Sequence, residues 1–155
     1  MTSRRELQGA WRGCYHYDQA LAGQVDTDFE LTWTIGWFGS LRGAVVDTVT
    51  NDFGKASISG RLRRAQVRFI KTYAAFWACD DEGRVADLAA AYASVGVDLV
   101  GQVPPHRVLY EGVCTPNSLR FVGRWETSSL VLADRQRGAF VAPGMTGTWH
   151  MEKVR

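Results

Sequence analysis

From Phe29 to Trp37 the chain alternates without a break. Phe29, Leu31, Trp33, Ile35 and Trp37 fall on one side, and Glu30, Thr32, Thr34 and Gly36 on the other. Strand side chains point alternately to two faces, so period two over this length requires a strand with one apolar face. Such a strand needs a layer over its apolar face and a neighbour at each edge.

The same rhythm predicts those neighbours. Strands are expected over 11–17, 41–49, 55–63, 67–73, 107–113, 119–126, 139–142 and 147–154. Turns are expected at Phe38-Gly39-Ser40, Asn51-Asp52-Phe53-Gly54 and Thr115-Pro116-Asn117-Ser118, and a polar loop over 18–28. Residues 1–8 read as a short helical lead-in, and 127–138 fit either a short helix or a strand. One stretch breaks the pattern. Asp80-Asp81-Glu82 resembles a helix cap with an acidic first turn, Val85, Leu88, Ala89, Tyr92 and Val95 recur at helical spacing, and Gly96 suits the position after a helix end. An amphipathic helix over about 81–96 is therefore expected between strands. Pro104-Pro105 then stops the connection.

The expected fold class is mainly β, with hairpins in succession and no βαβ rhythm. A run of hairpins this long must close or stack to remove its edges. A β-sandwich is the second choice. A single antiparallel up-and-down barrel of about eight to nine strands fits better, because Gly13, Gly43, Gly60, Gly112 and Gly123 recur on the inner faces and allow coiling. The length of 155 residues suits one domain over 1–155.

Gly9-Ala10-Trp11, Gly123-Arg124-Trp125 and Gly147-Thr148-Trp149 repeat one short signature. A Gly-x-Trp on the first strand, followed by a meander of this length, resembles the calycins: lipocalins, fatty-acid-binding proteins and avidins. The ending from Gly147 to Lys153 is similar to the closing strand of such barrels. The chain departs from secreted lipocalins in lacking a disulfide pair and a central Thr-Asp-Tyr turn. The resemblance implies a barrel with a lumen and leaves its ligand open. It also keeps a cyclase or isomerase reading open, because some small intracellular barrels of this type work in natural-product pathways.

An eight-stranded barrel is either filled by side chains or holds one small ligand. The inward positions offered as ligand-binding are Tyr15, Tyr17, Trp33, Trp37, Phe69, Tyr110, Phe121 and Trp125; the alternative is that these aromatics pack a core. Lys71 lies in the row Val67, Phe69, Lys71, Tyr73, and Asp47 lies inward on the third strand. A buried ion needs a partner or a shifted pKa. Lys71, Asp47 and Tyr73 are therefore the candidate catalytic residues, unless both charges sit at strand ends in water. His106, beside Pro105, reads as a loop residue. His16 and His150 read as outward, and no Ser-His-Asp or Cys-His set assembles.

Charge and cysteine content bound the partners. A net charge of +2 makes no case for nucleic acid, and Arg61-Leu62-Arg63-Arg64 reads as a solvated turn. The three cysteines are odd in number and widely spaced, so neither a disulfide framework nor a metal site is expected, and no cofactor is. The start leads into no signal-like apolar stretch, and no apolar run is long enough to span a membrane. A cytoplasmic setting is expected. Val46, Ile70, Leu109, Val113 and Val122 are apolar on the outer face, and a joined patch there would be covered by the helix or by a second subunit in a homodimer. The expected function is binding of a small hydrophobic molecule in the lumen. The alternative is a cofactor-free cyclase or isomerase using the same cavity.

Overall fold

The computed structural model describes residues 3–19, 26–48, 51–80, 82, 84–115 and 117–155. Loop residues 20–25, the expected strand end at Val49, and Asp81 and Pro116 lie outside this set. A short helix α1 (Arg4–Leu7) leads into β1 (Gly9–Tyr17), β2 (Thr27–Ile35), β3 (Ser40–Asp47), β4 (Lys55–Arg63) and β5 (Gln66–Tyr73). A small hairpin, β6 (Trp77–Cys79) and β7 (Val85–Asp87), runs into helix α2 (Leu88–Ser94). Then come β8 (Arg107–Thr115), β9 (Arg120–Glu126), a second small hairpin of β10 (Leu130–Asp134) and β11 (Gly138–Ala142), and β12 (Thr146–Lys153).

Eight strands close into an antiparallel barrel in the order β1-β12-β9-β8-β5-β4-β3-β2. Closure by β12 against β1 removes both free edges of the meander. The two small hairpins stay outside the barrel sheet. The connections sort by length. At one end few residues separate β2 from β3, β4 from β5 and β8 from β9, while the strand ends at Tyr17, Thr27, Asp47, Lys55, Tyr73, Arg107, Glu126 and Thr146, which longer stretches join, lie at the other. The second end is the mouth.

The short-turn end is solid. The side chain of Ser3 caps α1 in a reciprocal box with Glu6, and Leu7 is buried beneath the helix. The indole N–H groups of Trp11 and Trp33 both donate to the Leu7 carbonyl, at 3.2 and 2.6 Å, which satisfies an acceptor the helix end leaves open. Trp11, Trp33 and Phe121 meet edge to face with centroids 5.2 to 5.6 Å apart.

Register explains the inward glycines more closely than coiling does. Gly13 lies opposite Phe29, Gly43 opposite Trp33, Gly60 opposite Phe69, Gly123 opposite Trp149 and Gly147 opposite Trp125. Each glycine makes room beside a large ring. The indole of Trp149 lies across the Gly112–Gly123 pair and donates to the carbonyls of Glu111 and Arg124. A Cβ on Gly123 would stand 1.9 Å from the Glu111 oxygen. Gly123→Ala is therefore expected to destabilise the protein by about 2 kcal/mol in urea titration, the usual cost of overpacking. A change under half that value would show that β8 and β9 part without strain.

Several expectations change. The helix is shorter than 81–96, because residues from Trp77 to Asp87 pair as a hairpin first. Asp80 organises that hairpin turn by accepting from the backbone N–H groups of Glu82 and Arg84, and Asp87 caps α2 instead. Gly96, at φ +80°, ends the helix as expected. Residues 130–134 are strand, paired with 138–142. Trp37 is not an inward residue. Strand β2 stops at Ile35, and Trp37 stands 90% exposed in the turn. The outer apolar patch does not assemble. Ile70 pairs with Leu109 and Val113 with Val122, but the Arg68–Glu111 ion pair separates them, and Val46 is two strands from Ile70. Helix α2 lies at the mouth.

Candidate functional site

A cavity of about 460 Å³ opens at the mouth. The barrel contributes Tyr15, Tyr17, Tyr73, Tyr110 and Trp125 to its wall, and the long connections add Phe76, Trp77, Leu88, Ala91, Tyr92, Leu132 and Met145. Alternation brings the tyrosines inward, since Tyr15 and Tyr17 are two apart on β1, as are Lys71 and Tyr73 on β5. Helix α2 presents Leu88, Ala91, Tyr92 and Val95 at helical spacing to the same space.

Lys71 and Asp47 meet directly beneath this cavity. Lys71 Nζ donates to Asp47 Oδ1 at 2.5 Å, and both side chains are buried. The Tyr73 hydroxyl donates to Asp47 Oδ2 at 2.6 Å and the Tyr15 hydroxyl at 3.3 Å. The ammonium also lies 4.6 Å from the Tyr73 ring centre and 5.1 Å from that of Tyr15. Burial pulls the Lys71 pKa down, and Asp47 opposes that pull. Burial pushes the Tyr15 and Tyr73 hydroxyls well up, and the Asp47 charge adds to it. Both tyrosines therefore stay protonated as donors. Lys71 and Asp47 do not line the cavity. They reach it through Tyr15 and Tyr73, which do.

The other expected ligand-binding residues divide by depth. Tyr15, Tyr17, Tyr110 and Trp125 line the cavity. Phe69 stacks on Tyr110 at 4.9 Å and belongs to the layer below. Trp33 and Phe121 are in the solid end, because Trp33 is anchored on Leu7. Trp37 is on the far turn.

His106 is a loop residue, as expected, but its burial in the site was not foreseen. It precedes β8, is 7% exposed, and lines the cavity. Its carbonyl accepts from the Tyr73 N–H at 3.0 Å, which ties it to the end of β5. Its ring is held between Phe76 at 4.0 Å and Tyr73 at 4.8 Å, nearly parallel to both. Burial, reinforced by the Lys71 charge, lowers its pKa to about 4, so the ring is neutral at pH 7. His106 Nδ1 and Trp77 Nε1 are both buried without a hydrogen-bond partner among the described residues, and both residues line the cavity. Leaving such atoms unpaired in an apolar wall is costly. The only hint in the sequence was the aromatic run Tyr73 to Trp77, since nothing local pairs it with His106.

Among the described residues no group of three His, Cys, Asp or Glu side chains is arranged to hold a metal ion. Burial pushes the thiols of Cys14 and Cys114 up, Cys14 to about 11 with the help of Asp28. No helix among the described residues is long and apolar enough to cross a membrane.

Fold and site together define a closed eight-stranded antiparallel β-barrel with a ligand-sized cavity at one mouth. No protein-family model, curated protein or solved structure matches the chain.

Proposed function

We propose that this barrel is a calycin-like binder of one small, mainly hydrophobic, uncharged molecule. The observation that carries the reading is the mouth cavity of about 460 Å³, within the range of small-molecule sites. Among the described residues its wall is mainly aromatic and aliphatic and contains no lysine or arginine to meet a ligand carboxylate. Asp80, the one acidic residue among the described lining, is held by Arg84. Trp77 Nε1 is left to donate to a ligand oxygen, and neutral His106 is left to orient a second polar atom.

A cofactor-free cyclase or isomerase is the second reading. The neutral His106 imidazole stacks on Tyr73, whose hydroxyl is bound to Asp47, and this puts a base beside a proton donor on an apolar wall.

A panel of apolar fluorophores tests binding. Ala91 is buried on the cavity side of α2, so Ala91→Trp fills the space while its neighbours on α2 hold the helix. The variant is expected to weaken fluorophore binding at least tenfold, about 1.4 kcal/mol. Native mass spectrometry of the purified protein should show a retained small molecule that the variant lacks. Wild-type protein that binds no fluorophore and retains nothing would refute the binder. Turnover lost in His106→Phe with the melting point unchanged would favour the enzyme.

A further inference from the structure

We infer that the short-turn end of the barrel is a docking surface for an anionic lipid membrane. This rests on no feature of the cavity, which lies at the opposite end. The turn between β2 and β3 raises two adjacent large aromatics into solvent: Trp37 is 90% and Phe38 87% exposed. A soluble surface rarely presents two such rings side by side, since each forfeits the gain of burial.

The turn cannot fold them down. Gly36 N–H donates to the Ser40 carbonyl at 2.7 Å, and Gly39 N–H to the Gly36 carbonyl at 3.0 Å. Gly39 has φ +77°, its Cβ position is filled by the Leu62 oxygen at 2.0 Å, and its carbonyl accepts from Leu62 N–H. Only glycine fits there, so the turn is clamped onto the end of β4. The Arg4 guanidinium holds the other side by donating to the Trp37 carbonyl.

The clamp also places charge around the rings. Arg61 and Arg63 lie on the β4 end that Gly39 grips, Arg64 follows in the adjoining turn, and Arg5 stands beside Arg4 on α1. All are exposed, and none of Arg5, Arg61, Arg63 and Arg64 is ion-paired among the described residues. Among the described side chains at this end, the carboxylates of Glu6 and Glu152 are engaged, Glu6 in the helix cap and Glu152 with Arg120. At the mouth the balance reverses. Arg84, Arg124 and Arg135 are paired with Asp80, Asp18 and Asp98, and the exposed cations Lys55, Arg107 and Arg137 are outnumbered by the exposed carboxylates of Asp26, Asp28, Glu82, Asp87 and Glu126. The net +2 of the chain therefore hides two ends of opposite character.

Exposed aromatics ringed by unpaired arginines match the interface of a bilayer with anionic headgroups. Trp and Phe settle at the headgroup level, and arginines gain from the surface potential. A nucleic-acid duplex would use the arginines but not a projecting Trp–Phe pair, a single strand would stack bases on the rings and is separated by the RNA arm of the test below, and a second copy of this chain would bring arginines against arginines. The charge reversal also sets orientation, holding the mouth away from the membrane. Ligand would then exchange with the aqueous side while the protein is bound.

Co-sedimentation with vesicles tests this. Wild-type protein is expected to pellet with phosphatidylcholine vesicles containing about one-third phosphatidylserine, and far less with phosphatidylcholine alone. Binding should fall steeply between about 0.1 M and 1 M salt. Each arginine near such a surface is worth about 1 kcal/mol, so Arg61→Gln/Arg63→Gln/Arg64→Gln should weaken binding about a hundredfold. Trp37→Ser/Phe38→Ser should lose at least tenfold. All five side chains are exposed, so both variants should keep the wild-type melting temperature and fluorophore binding. Failure to pellet with anionic vesicles overturns the inference, as does pelleting that neither variant reduces. Variants that abolish dimerisation in light scattering, or RNA binding in anisotropy, without vesicle binding by wild type, would assign this end to those partners instead.

Discussion

Lys71→Ala is expected to lower unfolding stability by about 4 kcal/mol at pH 7, because it leaves a buried carboxylate without its cation. Asp47 is fully buried, and removing Lys71 takes away the ammonium that balances its charge while the tyrosine hydroxyls, which are neutral, remain. Part of the loss is the empty volume left by the stem, which Lys71→Met refills, so Met should recover a small fraction. The charge deficit is separated by a cycle with Asp47→Asn. In Lys71→Met/Asp47→Asn no unpaired ion remains, and the double variant should be far more stable than the sum of the single losses predicts. Urea titrations of the four proteins measure this. A Lys71→Ala cost under 1 kcal/mol would mean that the pair is not ionised or that water reaches it. Fluorophore affinity should change only modestly in Lys71→Met, since the ammonium touches the cavity wall from behind. A large loss there would instead place the ligand deeper than the tyrosines.

Acid should unfold the wild type earlier than a His106→Phe variant. The native pKa of His106 is about 4, below its ordinary 6.5. Above pH 6.5 the ring is neutral in both states and contributes nothing to the pH dependence. Between 6.5 and 4 the unfolded chain takes up a proton that the native ring refuses, so stability falls as pH falls, by about 1.4 kcal/mol per unit. The whole window amounts to about 3 kcal/mol, and below pH 4 this slope ends because the native ring protonates as well. Phe keeps the stack between Phe76 and Tyr73 and removes the unpaired nitrogen. His106→Phe should therefore match or exceed wild-type stability at pH 7 and show a shallower slope between pH 6.5 and 4. Equal slopes in the two proteins would show that His106 is solvated in the native state.

The barrel was legible because its signal is local. Period two in Phe29 to Ile35 and in the flanking strands needs no knowledge of partners, and the lack of βαβ rhythm leaves antiparallel neighbours as the only pairing. The short hairpin at Trp77 was not legible, since three-residue strands show no period and the Val85, Leu88, Tyr92 spacing extended the helix too far. Trp37 was misread for the opposite reason. Alternation continues past the last paired residue, and only the β2–β3 register shows where pairing stops.

For the candidate site, the sequence by itself determined which residues face inward, including Lys71, Asp47 and the tyrosines, because alternation along a strand is a property of the backbone. Their partners were decided by tertiary structure alone. Lys71 and Asp47 are 24 positions apart in the chain, and it is the register of β3, β4 and β5 in a closed barrel that brings them to 2.5 Å. The same holds for His106, which joins Tyr73 only because β8 lies beside β5. Burial is also a property of the closed barrel. An inward lysine is an ion in water or a buried ion according to whether strands surround it, and that environment decides its charge, its partner and its cost.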